Sequence, residues 1–418
     1  MELGDLPYDC LSCIFDFIPD LKLLLNLSTV CKQWNILVKR RLKKIRHLHV
    51  ESKSDLSYAP FSSDNHIYTD DIGYLERVNV SQLLPNLKYF SKSSYLTGKC
   101  TCKMLLNVLS STSNPLIGLH SEVPCDFGSG CHVSLDEIVK HCGSLEYLYS
   151  LHEPFRDSYF FKYKFGQKLK YFDGHFEGYF DLESDEEEEE DIDYDSRFEE
   201  ISLLCRYFKQ MPNLEVLSLD KPLIEPRLWP LPKMKLKEIQ LRDIRSSSSV
   251  SQFLPFFPDL RTIRLHIREV KDKGSPDSHI HLNVQNFFLN IHEPQSSHVE
   301  SLNLVKTVMA KLPNCTNLCI LLLQGVITIT NGDLIEIIKV LPNLTLFVLD
   351  VENWEDANII ETLDKFCKSV GRRINFILRG TAHHGTKGAR SYTRYILNED
   401  VSSPLKIDYE FLQMCHVY

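Results

Sequence analysis

Several clusters in this 418-residue chain carry residue types that do chemistry. Cys100-Thr101-Cys102, Cys125, Cys131-His132 and His141-Cys142 offer soft ligands for zinc, but none forms the C-x2-C pair of a structural zinc site. Reduced, packed thiols are the simpler expectation for a chain without a secretion signal. Gly380 and Gly385 have the spacing that opens a phosphate loop, yet Thr386-Lys387 follows in the wrong order. In that motif the lysine comes first and reaches the terminal phosphates, and the hydroxyl comes second and meets Mg²⁺. His383-His384 beside it reads as an exposed tail feature. Neither G-x-S-x-G nor H-E-x-x-H occurs. The expectation is a non-enzyme with no metal site, no catalytic residue and no cofactor.

Two charged runs stand out. Residues 181–200 hold 13 acids and one base, Arg197, a net of −12 in a chain of −9, which leaves +3 elsewhere. Such a run cannot pack and reads as a disordered, solvated insertion. A sharper reading makes it a lure for a basic partner, and Ser184 with the acids after it fits an acidophilic kinase site. Lys39 to Arg46 carries six bases in eight residues. It fits a nuclear-import signal, an anion patch, or the solvated face of a helix joining two domains. Without interleaved aromatics or a recognised motif, nucleic-acid binding is not expected.

The elements that position these residues follow from apolar spacing. No apolar run approaches the ~20 residues needed to span a bilayer, so no membrane partner is expected. Met1-Glu2-Leu3-Gly4-Asp5 lacks the basic and apolar parts of a signal peptide. The expected location is cytoplasmic and/or nuclear. Leu11, Ile14, Phe15 and Ile18 form one helical face after Leu6-Pro7. Pro19-Asp20 breaks it, and Asp20 can cap the next helix. Leu24, Leu27, Val30, Cys31, Trp34 and Val38 continue at helical spacing, with Leu21, Leu23, Leu25 and Leu37 off that face. Two short helices cannot bury so many apolar residues, so some must meet the rest of the chain or a partner.

Leu6-Pro7, Leu11, Ile14-Phe15, Ile18, Leu24-Leu25, Leu27, Val30-Cys31 and Trp34 together resemble the F-box, over about a tenth of the chain. Asp9 and Leu23 depart from the family, which usually has Glu and a helix-starting Asp there. The resemblance implies a Skp-type adaptor, and through it a cullin ligase, as partners. It also implies adaptor-facing and internal packing roles for Leu6, Pro7, Leu11, Ile14, Phe15, Leu24, Leu25, Val30 and Trp34.

The rest of the chain repeats L-x-x-L-x-L. Copies start at Ile45, Leu75, Leu214, Leu236, Leu260, Val299, Leu318 and Leu344, with weaker ones at Leu87, Leu145, Leu169 and Ile374. Several follow a shared phrase, as in Leu84-Pro85-Asn86-Leu87 and Leu341-Pro342-Asn343-Leu344. The gaps from 169 to 214 and from 260 to 299 read as insertions. Asn331 reads as the cap of a helix over Leu334 to Leu341. The pattern resembles the leucine-rich repeat. The expected class is α/β: an all-α F-box at 1–45, then a curved solenoid at 46–380 with parallel strands on its concave face and helices on its convex face. Residues 381–418 form a tail or cap.

An F-box before leucine-rich repeats is similar to the substrate receptors of cullin-type (SCF) ubiquitin ligases. A non-catalytic repeat scaffold is the alternative. Positions three, five and seven of each copy would face the target: His47, His49, Tyr147, Tyr149, Tyr171 and His175 early, then Glu238, Gln240, Arg242, Thr262, Arg264 and His266. Of these, Tyr147, Tyr149, Tyr171, Arg242, Arg264 and His266 are the chosen target-binding set. Ile320, Leu322, Leu346 and Val348 would form an apolar strip. The tail, with Tyr392, Tyr395, Ile396 and Leu397, is expected to fold back over that strip; a final capping repeat is the competing arrangement.

Overall fold

Three helices form where apolar faces alternate with chain breakers: α1 (Tyr8–Asp16), α2 (Leu21–Ser28) and α3 (Lys32–Lys44). They belong to a computed structural model that describes residues 6–50, 65–92, 102–111, 115–121, 137–138, 140–150, 165–175, 208–220, 234–244, 257–267, 283–291, 309, 312–322, 330–351, 359–380 and 391–397. Asp20 caps α2, its Oδ1 accepting the Leu23 N–H at 3.0 Å. The apolar spacing hid a break before α3. Cys31 is extended there (φ −157°, ψ 168°), and its sulfur accepts the Trp34 N–H at 3.5 Å. Asn35 bridges the break by donating to the Ser28 carbonyl at 3.1 Å. The break resets the phase of α3. Leu37, expected off the apolar face, is therefore buried beside Val38, and Leu21 at the start of α2, also expected off it, is buried with Leu11, Phe15 and Leu24. Trp34 meets Phe15 edge to face at 5.5 Å.

The helices are tied to the strands that follow. Arg41 donates to the His66 carbonyl at 3.0 Å, and Asn86 donates to the Lys43 carbonyl at 2.7 Å. Lys44 pairs with Asp16 at 2.5 Å, and the Pro19 carbonyl accepts the Tyr68 N–H at 2.7 Å. The basic run is thus partly structural, because Arg41 is buried.

The chain divides into two compact units, the first of residues 1–176 and 206–214, the second of 177–205 and 215–418. In the first, β1 (His47–Val50), β2 (His66–Thr69), β3 (Tyr89–Lys92), β4 (Gly118–Ser121), β5 (Tyr147–Ser150) and β6 (Tyr171–His175) are parallel, in the order β2-β1-β3-β4-β5-β6. Between them lie α4 (Ile72–Leu75), α5 (Val80–Leu83) and α6 (Cys102–Ser111). Side chains alternate across a strand, so Ile67, Leu48, Phe90, Leu119, Leu148 and Phe172 line up in register on one face, all buried.

In the second unit, β7 (Val216–Asp220), β8 (Glu238–Ile244), β9 (Thr262–Ile267), β10 (Asn286–Ile291), β11 (Asn317–Leu322), β12 (Leu346–Val351) and β13 (Ile374–Gly380) pair in parallel in chain order. Helices α7 (Asn331–Val340) and α8 (Ile359–Ser369) lie between the last three. Leu217, Ile239, Ile263, Phe287, Leu318, Phe347 and Phe376 form one fully buried register row. The class is α/β, a short helical segment followed by parallel strands consistent with a repeat solenoid. The shared phrase has a physical use. Asn213 and Asn343, like Asn86, donate across to a carbonyl of the preceding segment, at 2.8 Å to Gln167 and 2.9 Å to Pro313.

Several sequence expectations are corrected. Leu75, Val78 and Val80 belong to the helical region of α4 and α5, and the strand is instead β3, from the weaker copy at Leu87. Strands β2 and β4 went unread, having one strong apolar position each, Ile67 and Leu119. No long insertion follows 260, because Val284/Phe287/Leu289 is a copy that supplies β10. β10 bonds directly to β11, and the Val299 copy lies outside the described residues. The copy placed at Leu318 starts at Cys315, since Leu318 pairs with Phe287 and Phe347. Thr330, not Asn331, caps α7, through a reciprocal capping box with Asp333. From the tail, residues 391–397 form β14 (Ser391–Leu397), an antiparallel strand added beside β13 rather than a layer over the strip. The acidic run, with Ser184, and Cys100, Cys125, Cys131, His132, His383, His384 and Gly385 to Lys387 lie outside the described residues.

Candidate functional site

Burial separates the helical segment into an interior and a bare apolar surface. Leu11, Phe15 and Leu24 are interior, while Leu6, Leu25 and Trp34 are half-buried. Pro7, Ile14 and Val30 are exposed. Tyr8, Phe17 and Ile36 were not among the residues singled out in the sequence, and Leu23 was placed off the apolar face and as a departure from the family pattern. Phe17 is 86%, Val30 61% and Ile36 58% exposed. Of the seven exposed large hydrophobic residues among those described, six lie between Tyr8 and Ile36, and Val370 is the other. The available signal was phase: Phe17 and Ile36 fall off the buried face of their own helices, where a lone domain would carry polar residues. This surface can dock an apolar partner.

Residues 3–47 match the F-box-like family model. No curated protein matches the chain. Among solved structures it is similar to a chain in the crystal structure of the Rad7 and Elc1 complex in yeast, at 15% identity over 84% of this chain and 85% of that one, with a TM-score of 0.35. The F-box-like segment thus consists of α1 to α3, and it reaches the first residue of β1.

Beyond the F-box-like segment, the face of the first unit's sheet opposite its leucines carries rings. His47 stacks on Tyr89 at 4.5 Å, Tyr89 meets Tyr147 at 6.1 Å, and Tyr147 meets Tyr171 at 6.5 Å. Tyr89 and Tyr147 sit on β3 and β5, with Gly118 of β4 between them. A Cβ at Gly118 would stand 2.4 Å from the Tyr89 ring, so glycine is what lets the ladder close over β4. A second row holds His49, Ser91, His120 and Tyr149. Ser91 Oγ is 3.3 Å from His120 Nδ1, and His120 packs on Tyr149 at 4.0 Å. Tyr171 donates to Asp173 at 3.2 Å. Burial, aided by His66, holds the His47 and His49 imidazoles down to about 4. Tyr147, Tyr149 and Tyr171 are half-buried and share this face, as the sequence placed them. Tyr89 and Asp173 were passed over within the copies at Leu87 and Leu169, and His120 was missed because β4 went unread. His175 is in β6, its side chain outside those described.

In the second unit the corresponding side chains are tied up or apolar. Arg264 is buried, pairs with Glu238 at 2.5 Å and lies 4.2 Å over the Phe288 ring. Arg242 donates to Ser218 at 2.9 Å, and His266 is half-buried. Ile320, expected on the strip, faces the opposite way with Leu289 and Leu349, a consequence of the corrected register. Leu346 and Val348 instead cluster with Phe288, Cys319 and Leu321, all buried, and Ile377 packs against them.

Neither thiols nor histidines assemble a metal centre among the described residues. Burial pushes Cys142 and Cys315 up to about 12, so both are protonated thiols packed in the core. No helix among the described residues is long and apolar enough to cross a membrane.

Proposed function

We propose that the chain is a non-catalytic substrate receptor of a cullin-type (SCF) ubiquitin ligase. The observation that carries this reading is the concentration of exposed apolar side chains on the F-box-like segment. F-box domains bind a Skp-type adaptor, and F-box proteins are generally receptors rather than enzymes. Here Phe17, Leu23, Val30 and Ile36 supply the apolar contact and Leu11, Phe15 and Leu24 hold the helices that present it. The target lies along the tyrosine and histidine face of the first unit, where Tyr89, Tyr147 and Tyr171 offer large contact area at low side-chain entropy cost. Of the residues expected to bind the target, Tyr147, Tyr149 and Tyr171 share this face, whereas in the second unit Arg264 is spent on Glu238 and Phe288 and Arg242 on Ser218. The chain's contribution to ubiquitin transfer is proximity, a raised effective concentration of target near the charged enzyme. The cytoplasm and nucleus, where such ligases work, are its proposed location.

The test is purification of the tagged chain from cells, with and without residues 1–46. The full chain should bring the Skp-type adaptor and a cullin with it and should carry ubiquitin-transfer activity toward bound protein. The truncated chain should bring neither. Recovery of bound protein without adaptor or cullin from the full chain would contradict the reading and leave a repeat scaffold.

A further inference from the structure

Where α3 runs into the first strands, a cavity of about 580 Å³ is lined by Lys43, Lys44, Arg46, Lys88, Asn65, Asn86, Tyr89 and Ile117. Four of these eight are cations and none is an acid. Its floor is a regular feature of the sheet. Asn65, Arg46, Lys88 and Ile117 each occupy the position just before a strand, and each carbonyl accepts the two N–H groups at the start of the next strand in the sheet. The same position is held further along by Glu146 and Lys170, and in the second unit by Glu215 and Lys237.

The charges in that row show what is unusual about the cavity. Lys170 pairs with Glu146 at 2.8 Å and Lys237 pairs with Glu215 at 2.8 Å, each across neighbouring strands. Arg46 and Lys88 are neighbours in the same sense, since the Lys88 N–H bonds the Arg46 carbonyl at 2.9 Å, yet both are cations. Like charges on adjacent strands are destabilising. Lys43 and Lys44, from the last turn of α3, add two more, of which Lys44 is matched by Asp16. Among the described residues no carboxylate pairs with Lys43, Arg46 or Lys88. The fold has thus gathered three cations, unmatched among the described residues, around a concavity of ligand size, whereas further along the row Lys170 and Lys237 are matched and Arg261 stands as a single unmatched cation.

We propose that this cavity binds a compact anion bearing two or more phosphate groups. One phosphate would leave most of the space and part of the charge unused, because pockets of about 300–1,000 Å³ hold whole small molecules. Arg46 supplies the planar fork suited to a phosphate face, and Lys43 and Lys88 act as point charges. Asn65 and Asn86 add polar lining. The ligand would bind against the junction of the F-box-like segment and the first strands, already fixed by Asn86 on the Lys43 carbonyl. The proposal does not depend on adaptor binding and survives or fails separately from it.

Inorganic tripolyphosphate is the probe, titrated into the full-length chain by calorimetry at several salt concentrations, with sulfate and a singly phosphorylated serine peptide as parallel arms. Tripolyphosphate should bind at least tenfold more tightly than either and weaken steeply with salt. Arg46→Gln and Lys88→Gln should each lower its affinity about tenfold or more, while Lys237→Gln, from a matched pair, leaves it unchanged. Melting of the free chain supplies the control for folding. Removing one of two facing cations should keep or slightly raise the melting temperature and should abolish the rise that tripolyphosphate gives the parent chain. Equal affinity for sulfate, tighter binding of the phosphopeptide, or unchanged affinity in both Gln variants would overturn the proposal. A lowered melting temperature in both variants without ligand would overturn its premise of unmatched charge.

Discussion

The F-box-like helices and the strand repeats use the same apolar residue types to opposite ends. In the repeats the register rows are buried to the last side chain, from Leu48 and Phe90 to Phe347 and Phe376. In the helices Leu11, Phe15 and Leu24 are buried, but Phe17, Val30 and Ile36 face outward within a few residues of them. A strand repeat satisfies its apolar face by stacking on its neighbours. Three short helices have too few neighbours, so part of their apolar surface waits for a partner. The difference marks where stability ends and recognition begins.

Substitutions should separate the two regions, beginning with the largest effect. Phe347 is fully buried and meets Phe376 edge to face at 4.7 Å. Phe347→Ala should cost about 3–5 kcal/mol in chemical denaturation. The exposed Phe17→Ala should cost near nothing there, and equal losses for the two would erase the distinction.

A second effect concerns acid. His47 and His49 are neutral in the folded chain, held down to about 4, and in the unfolded chain they titrate near ~6.5. The unfolded state therefore binds protons first as pH falls. The stability from keeping them neutral is whole above about 6.5 and is lost progressively toward 4, by a few kcal/mol for the pair. His66 and His120 crowd the same face and act in the same direction. Denaturation midpoints measured between pH 7 and 4 should fall less in His49→Phe than in the parent chain. A parallel fall in both would show that burial of His49 has no such role.

Gly118→Ala tests the ring ladder. The added carbon meets Tyr89 at 2.4 Å, and displacing a packed ring costs typically ~1–3 kcal/mol. Ultraviolet absorption of the tyrosines should shift as Tyr89 leaves Tyr147. No change in stability or spectrum would mean that the ladder is loose. The smallest effect is at a helix end, where Thr330→Ala should remove about 1 kcal/mol by opening the capping box with Asp333.

Legibility in the sequence followed the strength of the apolar code. Copies at Leu214, Leu236, Leu260 and Leu344 repeat three strong apolar positions, and each gave a strand in register. β2 and β4 have polar residues where leucine should stand, so only pairing with β1 and β3 defines them. The copy at Leu318 misled because Cys315 fills a leucine slot and a further leucine follows at the right interval. Asp20 was readable as a cap from its place after Pro19, whereas Cys31, a rare sulfur cap, was not. For the helical surface, the family pattern named Pro7, Ile14 and Val30 but passed over Phe17 and Ile36. A pattern of shared positions does not say which side of a helix a partner needs.

The outward face of the F-box-like segment is the surface assigned to the adaptor, and a direct titration of the purified chain with a Skp-type adaptor tests it. Phe17→Asp and Ile36→Asp alter exposed side chains and should leave melting unchanged. Each should weaken adaptor binding at least ~30-fold, the equivalent of about 2 kcal/mol, while Val370→Asp, exposed but far along the sequence on the chain after α8, should bind like the parent. Parent-like binding by Phe17→Asp and Ile36→Asp, or no binding by the parent chain, would contradict the assignment of this surface to the adaptor.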